Sequence, residues 1–226
     1  MAADSRRAAT VGTPARALLT LVLCGAAACT GAAPEPGGNP AAETSPARTG
    51  EQLLAQPPAG WQQVGATNLA KLKRAEFVPE DETAETWTSR ITFEALSEDP
   101  LPDPIEFVDL LATGREGDCG TFERLPTFSG EENGYPTSVD LLVCHRDRES
   151  DRSEVLLMKT IRGNEAFYVV TRGRRGPAIA KGGQSDIEAQ EIAAWAVYLR
   201  SIKLCDDGRS EHPCPSEAAA AGGRSE

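Results

Sequence analysis

The segment from Trp87 to Ala95 alternates apolar with polar residues, and no other feature of the chain constrains the fold as strongly. Successive side chains of a β-strand point to opposite faces of the sheet. The pattern therefore predicts a strand with one buried face and one face in water. The buried face would carry Trp87, Ser89, Ile91, Phe93 and Ala95. Such a strand needs neighbours to cover it, so we expect an antiparallel sheet.

Further strand patterns surround this segment. An upstream strand from about Lys71 to Val78 should pair with it across an acidic, solvated turn that begins at Pro79. Gly163-Asn164 is a two-residue hairpin signal, and Asn133-Gly134 is a second turn signal. Four more strands are predicted around these turns, from Thr121 to Phe128, Ser138 to Cys144, Glu154 to Ile161 and Glu165 to Thr171. Together they should form an antiparallel meander.

Two segments have the patterns of helices. In the first, Asp103 is the N-cap, Pro104 takes the first helical position and Glu106 completes a capping box. Its apolar stripe would be Phe107, Leu110 and Leu111, ending at Gly114. The second helix should open at a box from Ser185 to Glu188, and its apolar face contains Ile192, Trp195, Leu199 and Ile202. We therefore predict an α+β domain, an antiparallel sheet with two or more helices packed on it.

The first 28 residues have the features of an export signal. Three arginines, Arg6, Arg7 and Arg16, precede an apolar run from Ala17 to Ala28, and Cys29 follows. This is the order of a secretory signal peptide. The run is shorter than the ~20 residues that a transmembrane helix needs. We expect residues 1–28 to be removed on export.

The residues Ala26-Ala27-Ala28-Cys29 resemble the bacterial lipoprotein signal, although Ala26 stands where leucine is most common. The resemblance implies that Cys29 is acylated and attaches the protein to a membrane. The same alanines satisfy the rule for ordinary cleavage, which would give a secreted or periplasmic protein. Cys24 is a rival site, but Leu23 before it is too large for the peptidase pocket. Because Thr30 is not the aspartate that commonly retains lipoproteins in the inner membrane, the family pattern implies the outer membrane, facing the periplasm.

Composition divides the exported chain into three parts. Residues 29–58 are rich in proline, glycine and alanine, and residues 207–226 end in a run of alanine and glycine. Such segments bury too little surface to offset their ordering entropy, so we expect a disordered linker and a flexible tail. Residues 59–206 should form one globular domain. The net charge of −11 argues against nucleic acid as a partner, because phosphates repel an acidic chain.

Four cysteines follow Cys29, and in an oxidising compartment such thiols tend to pair. Three pairings are possible. We favour Cys205 with Cys214, which are close in sequence, and by elimination Cys119 with Cys144, although the sequence leaves the connectivity open. The alternative is a zinc site that adds His145 and His212, but the spacings match no standard zinc motif. We expect His145 to be exposed at a strand end and His212 to lie in the tail.

Trp61, two strands, a helix, a strand meander and a C-terminal helix follow one another between residues 60 and 204. This order resembles the Mog1/PsbP-like α/β sandwich. Short sequence segments are also similar to an uncharacterised group of bacterial exported proteins; they begin at Phe77, Trp87, Glu132 and Lys159. The fold resemblance implies a protein that binds partners, assists assembly or serves as an envelope lipoprotein. No functional residue carries over with it.

Motifs for catalysis and ion binding are missing from the sequence. The chain has two histidines and no nucleophile-elbow, metalloprotease, phosphate-loop or calcium-loop motif. We therefore expect no catalytic residue, metal or cofactor. The basic segment Arg172–Arg175 should be a solvated loop that blunts a sheet edge, the alternative being a site for an anionic partner. The three tryptophans, Trp61, Trp87 and Trp195, should face the core.

The best candidate contact loop is Asn133, Gly134 and Tyr135, because a tyrosine beside a tight turn is easily exposed. The alternative is a plain hairpin turn. We expect a non-enzymatic cell-envelope lipoprotein that binds an unidentified envelope protein or component through a tethered domain. The competing hypothesis is a small exported hydrolase with an unrecognised site. A deep polar pocket that contains His145 and an aligned carboxylate would support the hydrolase.

Overall fold

A seven-stranded antiparallel sheet forms the frame of the domain, in a computed structural model that describes residues 50–180, 182–183 and 185–215. Its strands are β2 (Trp61–Asn68), β3 (Leu72–Pro79), β4 (Ser89–Leu96), β5 (Phe122–Glu132), β6 (Tyr135–Cys144), β7 (Arg152–Arg162) and β8 (Phe167–Pro177), in the spatial order β2-β3-β4-β8-β7-β6-β5. Two short strands, β1 (Glu51–Leu54) and β9 (Lys203–Asp206), form a second sheet. The helices are α1 (Pro104–Asp118) and α2 (Ala189–Ser201). The predicted signal peptide, Cys24 and Cys29 lie outside the described residues.

The two helices cover opposite faces of the large sheet, because side chains of the central strands alternate between two apolar clusters. On one face α1 packs through Val108 against Leu142, Met158, Phe167 and Val169. On the other face α2 packs through Trp195 and Leu199 against Val139, Val155, Leu157 and Val170. The predicted α+β class, with helices on an antiparallel sheet, is confirmed. In the described part of the chain, no helix is long and apolar enough to cross a bilayer.

The folded domain begins earlier in the chain than the sequence predicted, at strand β1. It pairs with β9, so that Glu51 lies opposite Asp206. The Glu51 carboxylate also accepts hydrogen bonds from the backbone N–H groups of Asn164 and Glu165 in the β7–β8 turn. A side chain at Gly163 would collide with this carboxylate. The predicted linker boundary at residue 58 is therefore wrong, since the chain is folded from Glu51 onward.

Helix α1 begins as predicted but ends later. The Asp103 carboxylate caps it by accepting from the N–H groups of Ile105, at 2.8 Å, and Glu106, at 3.3 Å. The helix continues beyond Gly114, and the N–H of Cys119, fixed by a disulfide, donates to the Arg115 carbonyl at its end. The predicted apolar stripe is partly wrong: Leu110 is 74% exposed, and Val108 and Ala112 are buried in its place.

Replacing Asp103 with alanine should lower the free energy of unfolding by about 1 kcal/mol, because two helix N–H groups lose their acceptor. Guanidinium unfolding measures the change. Asp81→Ala is the matched control, since Asp81 is exposed in a turn and no described residue bonds to its side chain. Equal losses for the two variants would contradict the capping role.

Helix α2 starts three residues later than the sequence indicated, with its N-cap at Glu188 and not at Ser185. The side chain of Ser185 accepts from the N–H of Ile187, at 3.1 Å, in a turn before the helix. Glu188 is the N-cap residue but makes no side-chain cap. The predicted apolar face is confirmed: Trp195 and Leu199 are buried, and Ile202 is buried at the C-cap.

The basic segment Arg172–Arg175 lies inside strand β8, between β4 and β7, so the prediction of an edge loop is wrong. Alternation along the strand sends Arg172 to the α2 face and Arg175 to the α1 face. The guanidinium of Arg172 lies 4.1 Å from the ring centre of Trp61 and 5.6 Å from that of Trp195. That of Arg175 lies 3.9 Å from Trp87. These cation–π contacts let a central strand accept arginines.

Both predicted disulfides form. Cys119 is bonded to Cys144 with 5.6 Å between Cα atoms, and Cys205 is bonded to Cys214 with 4.8 Å. All four cysteines are therefore unavailable as thiolate ligands for zinc. Paired cysteines persist in oxidising compartments, so the disulfides indicate an extracytoplasmic protein.

Candidate functional site

An apolar cleft lies between helix α2 and the edge strand β5. Its volume is about 270 Å³. Apolar side chains from both elements and from β6 form its walls, and polar side chains stand at the floor and the rim. The lining residues are Thr127, Phe128, Glu132, Val139, Lys159, Ala196, Leu199 and Arg200.

The cleft exists because α2 covers only the central strands of its face. Strand β5 is the last in the sheet, and its pairing with β6 places Leu125 opposite Leu141 and Phe128 opposite Val139. Directly paired residues share a face, so Leu125 and Phe128 point to the side where α2 lies. They are 48% and 40% exposed. Two adjacent large apolar side chains left in water are a feature of binding surfaces.

A wholly buried lysine forms the floor of the cleft. The Lys159 ammonium donates to the Glu132 carboxylate at 2.6 Å and to the carbonyls of Leu199, at 3.1 Å, and Ile202, at 2.9 Å. These three acceptors use all three of its protons. Burial lowers the pKa of Lys159 below its ordinary value, and the neighbouring Glu132 carboxylate opposes that shift. The lysine thereby fastens the C-terminal end of α2 to strands β5 and β7.

The rim of the cleft is cationic. Arg200 lies in the last turn of α2 and is exposed. Beside the cleft, Lys203 lies 3.4 Å from Oε2 of Glu132, the same oxygen that Lys159 contacts. The cleft can therefore take an apolar group inside and meet a charged or polar group at its mouth. Because Lys159 has no proton left to donate and Glu132 is held by two lysines, neither is placed to act as a general base.

The predicted contact loop is wrong, because Tyr135 is buried. Its ring stacks on His212, with 3.9 Å between ring centroids, and it is 1% exposed. Asn133 and Gly134 have φ angles of 51° and 77°, the turn geometry that their sequence predicts. The Asn133 side chain donates to the carbonyl of Leu204 at 2.9 Å. The segment closed by Cys205 and Cys214 thus covers the turn, and His212 is part of the fold, not of a flexible tail.

His145 has the carboxylate partner that a hydrolase would need. Its Nε2 lies 2.7 Å from Glu123 Oε1, and its side chain is 12% exposed, so the expected full exposure is wrong. His145 lines neither the cleft beside α2 nor any of three other clefts formed by the described residues. No described hydroxyl or thiol bonds to this histidine. The residues that the structure describes hold no group of three or more side chains suited to a metal ion.

A second groove, on the same face, is lined by Leu53, Lys73, Phe93 and Tyr168 among others. It has about 410 Å³ of space but is open to solvent along most of its surface. Ligand sites enclose most of the ligand's surface. The more enclosed cleft beside α2 is therefore the better candidate.

On the α1 face, charged side chains surround the buried carboxylate of Glu154. Arg90, Arg115 and Arg175 all pair with it. Arg90 and Arg175 also stack on the ring of Trp87. Arg90 also pairs with Glu76 at 3.3 Å, so each guanidinium of this network has a carboxylate partner within the fold, and we interpret the network as structural.

Comparison with known proteins finds no matching family model and no matching curated protein. The chain is similar to a solved protein of unknown function from Pseudomonas aeruginosa, with a TM-score of 0.37 and 8% identity over 75% of this chain and 86% of that one. It is also similar to LpqN of Mycobacterium tuberculosis, which is described as involved in cell envelope biogenesis, with a TM-score of 0.31 and 9% identity over 72% of this chain and 86% of that one. TM-scores this low carry no argument about fold family or function. The Mog1/PsbP-like resemblance stays a prediction.

Proposed function

We propose that this is a non-enzymatic lipoprotein of the cell envelope that binds the apolar part of a ligand in the cleft between α2 and β5. The cleft itself carries the proposal. Its walls are apolar, its floor is a lysine with all protons in use, and exposed Leu125 and Phe128 extend it along the edge strand. Pockets that are mostly apolar with a few polar groups are the usual form of small-ligand sites.

The predicted membrane attachment is part of this proposal. Acylation of Cys29 would hold the domain at a membrane surface, and the two disulfides fit a site outside the cytoplasm. Mass spectrometry of the mature N-terminus should find a diacylglyceryl cysteine at Cys29. A free cysteine there, or cleavage without lipid, would leave a secreted binding protein instead.

Ligand binding in the cleft can be measured with the neutral fluorescent probe N-phenyl-1-naphthylamine. We expect saturable fluorescence enhancement for the native protein. Ala196→Phe fills the cleft and should weaken binding about tenfold, the cost of excluding roughly two methylene groups. Ala194→Phe is the matched control, since Ala194 is exposed on the same helix and does not line the cleft. Unchanged affinity in Ala196→Phe, or no binding at all, would contradict the proposed site.

One observation favours the alternative of an exported hydrolase, the pair of His145 and Glu123. A histidine oriented by a carboxylate is half of a nucleophile-activating arrangement. Hydrolysis of ester substrates that is lost in His145→Gln would support this function over the binding protein. We favour binding, because His145 lies outside the enclosed cleft.

A further inference from the structure

We infer that the ligand of the cleft is an aliphatic chain that ends in one carboxylate, and that Arg200 binds this carboxylate. The inference rests on the proposed function, because it names the ligand class of the same cleft. Three features of the site lead to it: an unpaired arginine at the mouth, a local excess of positive charge, and an edge strand that is poorly suited to a peptide.

Arg200 is the first feature. It lines the cleft, and its guanidinium forms no ion pair or hydrogen bond with any residue that the structure describes. Arg174 contrasts with it, since Arg174 is held by Glu191 of α2 at 2.7 Å. A guanidinium matches a carboxylate with two parallel hydrogen bonds. An apolar chain seated between Phe128 and Leu199 would place its head group near this free cation.

The local charge is the second feature. The charged side chains that line the cleft are two cations, Lys159 and Arg200, and one carboxylate, Glu132, which Lys203 also contacts. The whole chain, in contrast, has a net charge of −11. All three protons of the Lys159 ammonium are already donated, so this lysine attracts an anion by longer-range electrostatic interaction and not by direct contact. A ligand with one negative charge would be drawn to this part of an otherwise repelling surface.

The third feature is the shape of the neighbouring edge strand. An extended peptide could add to a free edge through main-chain hydrogen bonds. In β5, however, Pro126 has no N–H to donate, and the register shifts between Pro126 and Phe128. Proline and bulges are devices that block strand addition.

The volume of the cleft, about 270 Å³, corresponds to roughly nine waters at ~30 Å³ each, which suits a short aliphatic chain.

Displacement of N-phenyl-1-naphthylamine by ten-carbon amphiphiles below their micelle concentrations tests the inference on the full chain. Decanoate should bind about fivefold more tightly than decanol, because an exposed ion pair contributes at most about that factor to affinity. Decyltrimethylammonium should bind most weakly. Arg200→Gln should remove the preference for decanoate over decanol while decanol affinity stays the same. The matched control is Arg162→Gln, because Arg162 is exposed on β7, away from the cleft, and has no described partner.

Several outcomes would overturn the inference while the proposed function stands. These are equal affinity for decanoate and decanol, a decanoate preference that survives in Arg200→Gln, tighter binding of decyl phosphate than of decanoate, and displacement of the probe only by an extended apolar peptide. Failure of the neutral probe itself to bind would overturn the proposed function instead. Raising the salt from 50 to 500 mM should reduce the decanoate preference, because Arg200 is exposed to solvent.

Discussion

Replacing Lys159 with methionine should lower the free energy of unfolding by about 3–5 kcal/mol, as expected when one partner of a buried ion pair is removed. The variant leaves the Glu132 carboxylate and the carbonyls of Leu199 and Ile202 without the donor that satisfies them. Burial lowers the pKa of Lys159, and its attraction to Glu132 opposes that shift; in buried ion pairs the cost of desolvation offsets most of the attraction between the charges. The intact ion pair therefore adds little to the free energy of unfolding. Leaving one buried charge without its partner lowers that free energy considerably.

Two companion variants separate this cause from a general effect of the substitution. Lys203→Met removes a cation that contacts the same carboxylate but is 43% exposed, and it should cost less than about 1 kcal/mol. Lys159→Met combined with Glu132→Leu removes both charges and should recover part of the loss. Urea unfolding measures all three. A change of less than 1 kcal/mol in Lys159→Met would show that the lysine does not hold the helix end.

The sequence predicts the sheet well where apolar and polar residues alternate. Strand β4 follows that pattern, although the face predicted to lie in water is covered, since Thr92 is buried. Strands β6 and β7 contain mostly apolar runs instead, and the turn residues Asn133 and Gly134 mark the hairpin between β5 and β6. The pattern failed at Arg172–Arg175, where three arginines indicate a loop. Stacking on tryptophans from distant parts of the chain accommodates Arg172 and Arg175 in a central strand, and Arg174 pairs with Glu191 of α2. Such contacts exist only after folding, so local sequence cannot reveal them.

The candidate site was predicted in the wrong place for a similar reason. Tyr135 looks exposed beside a tight turn, but the segment around His212, distant in sequence, covers it. For the cleft, one signal was available. Val155, Leu157, Lys159 and Ile161 occupy alternate positions of β7, so a lysine falls on the buried face of a core strand. A buried lysine needs acceptors, and that requirement could have indicated Lys159 as a site residue, which no prediction from the sequence did.

Removal of the disulfides should produce the other large effect. On the chain-entropy relation, the Cys119–Cys144 bond, with a sequence separation of 25, contributes about 3.5 kcal/mol. The Cys205–Cys214 bond, with a separation of 9, contributes about 2.6 kcal/mol. We expect Cys119→Ala with Cys144→Ala to shift the guanidinium midpoint further than Cys205→Ala with Cys214→Ala. Losses below 1 kcal/mol for both pairs would contradict this account.

Removal of the Cys205–Cys214 bond, which should cost the smaller free energy, should also have a local structural consequence that identifies the role of this disulfide. Without it, His212 keeps the contact of its Nδ1 with the Asn133 carbonyl and the hydrogen bond that its own carbonyl accepts from the N–H of Asp206. We expect these two bonds to be too weak to keep the rings stacked. The ring-current shift of the His212 protons in NMR spectra should therefore disappear in Cys205→Ala with Cys214→Ala while the protein stays folded. In Cys119→Ala with Cys144→Ala the same shift should persist below the unfolding transition, because that bond joins the end of α1 to the end of β6 opposite the covered turn. Loss of the shift in both variants would mean that the two bonds stabilise one cooperative unit, and that the C-terminal segment has no independent attachment to the β5–β6 turn.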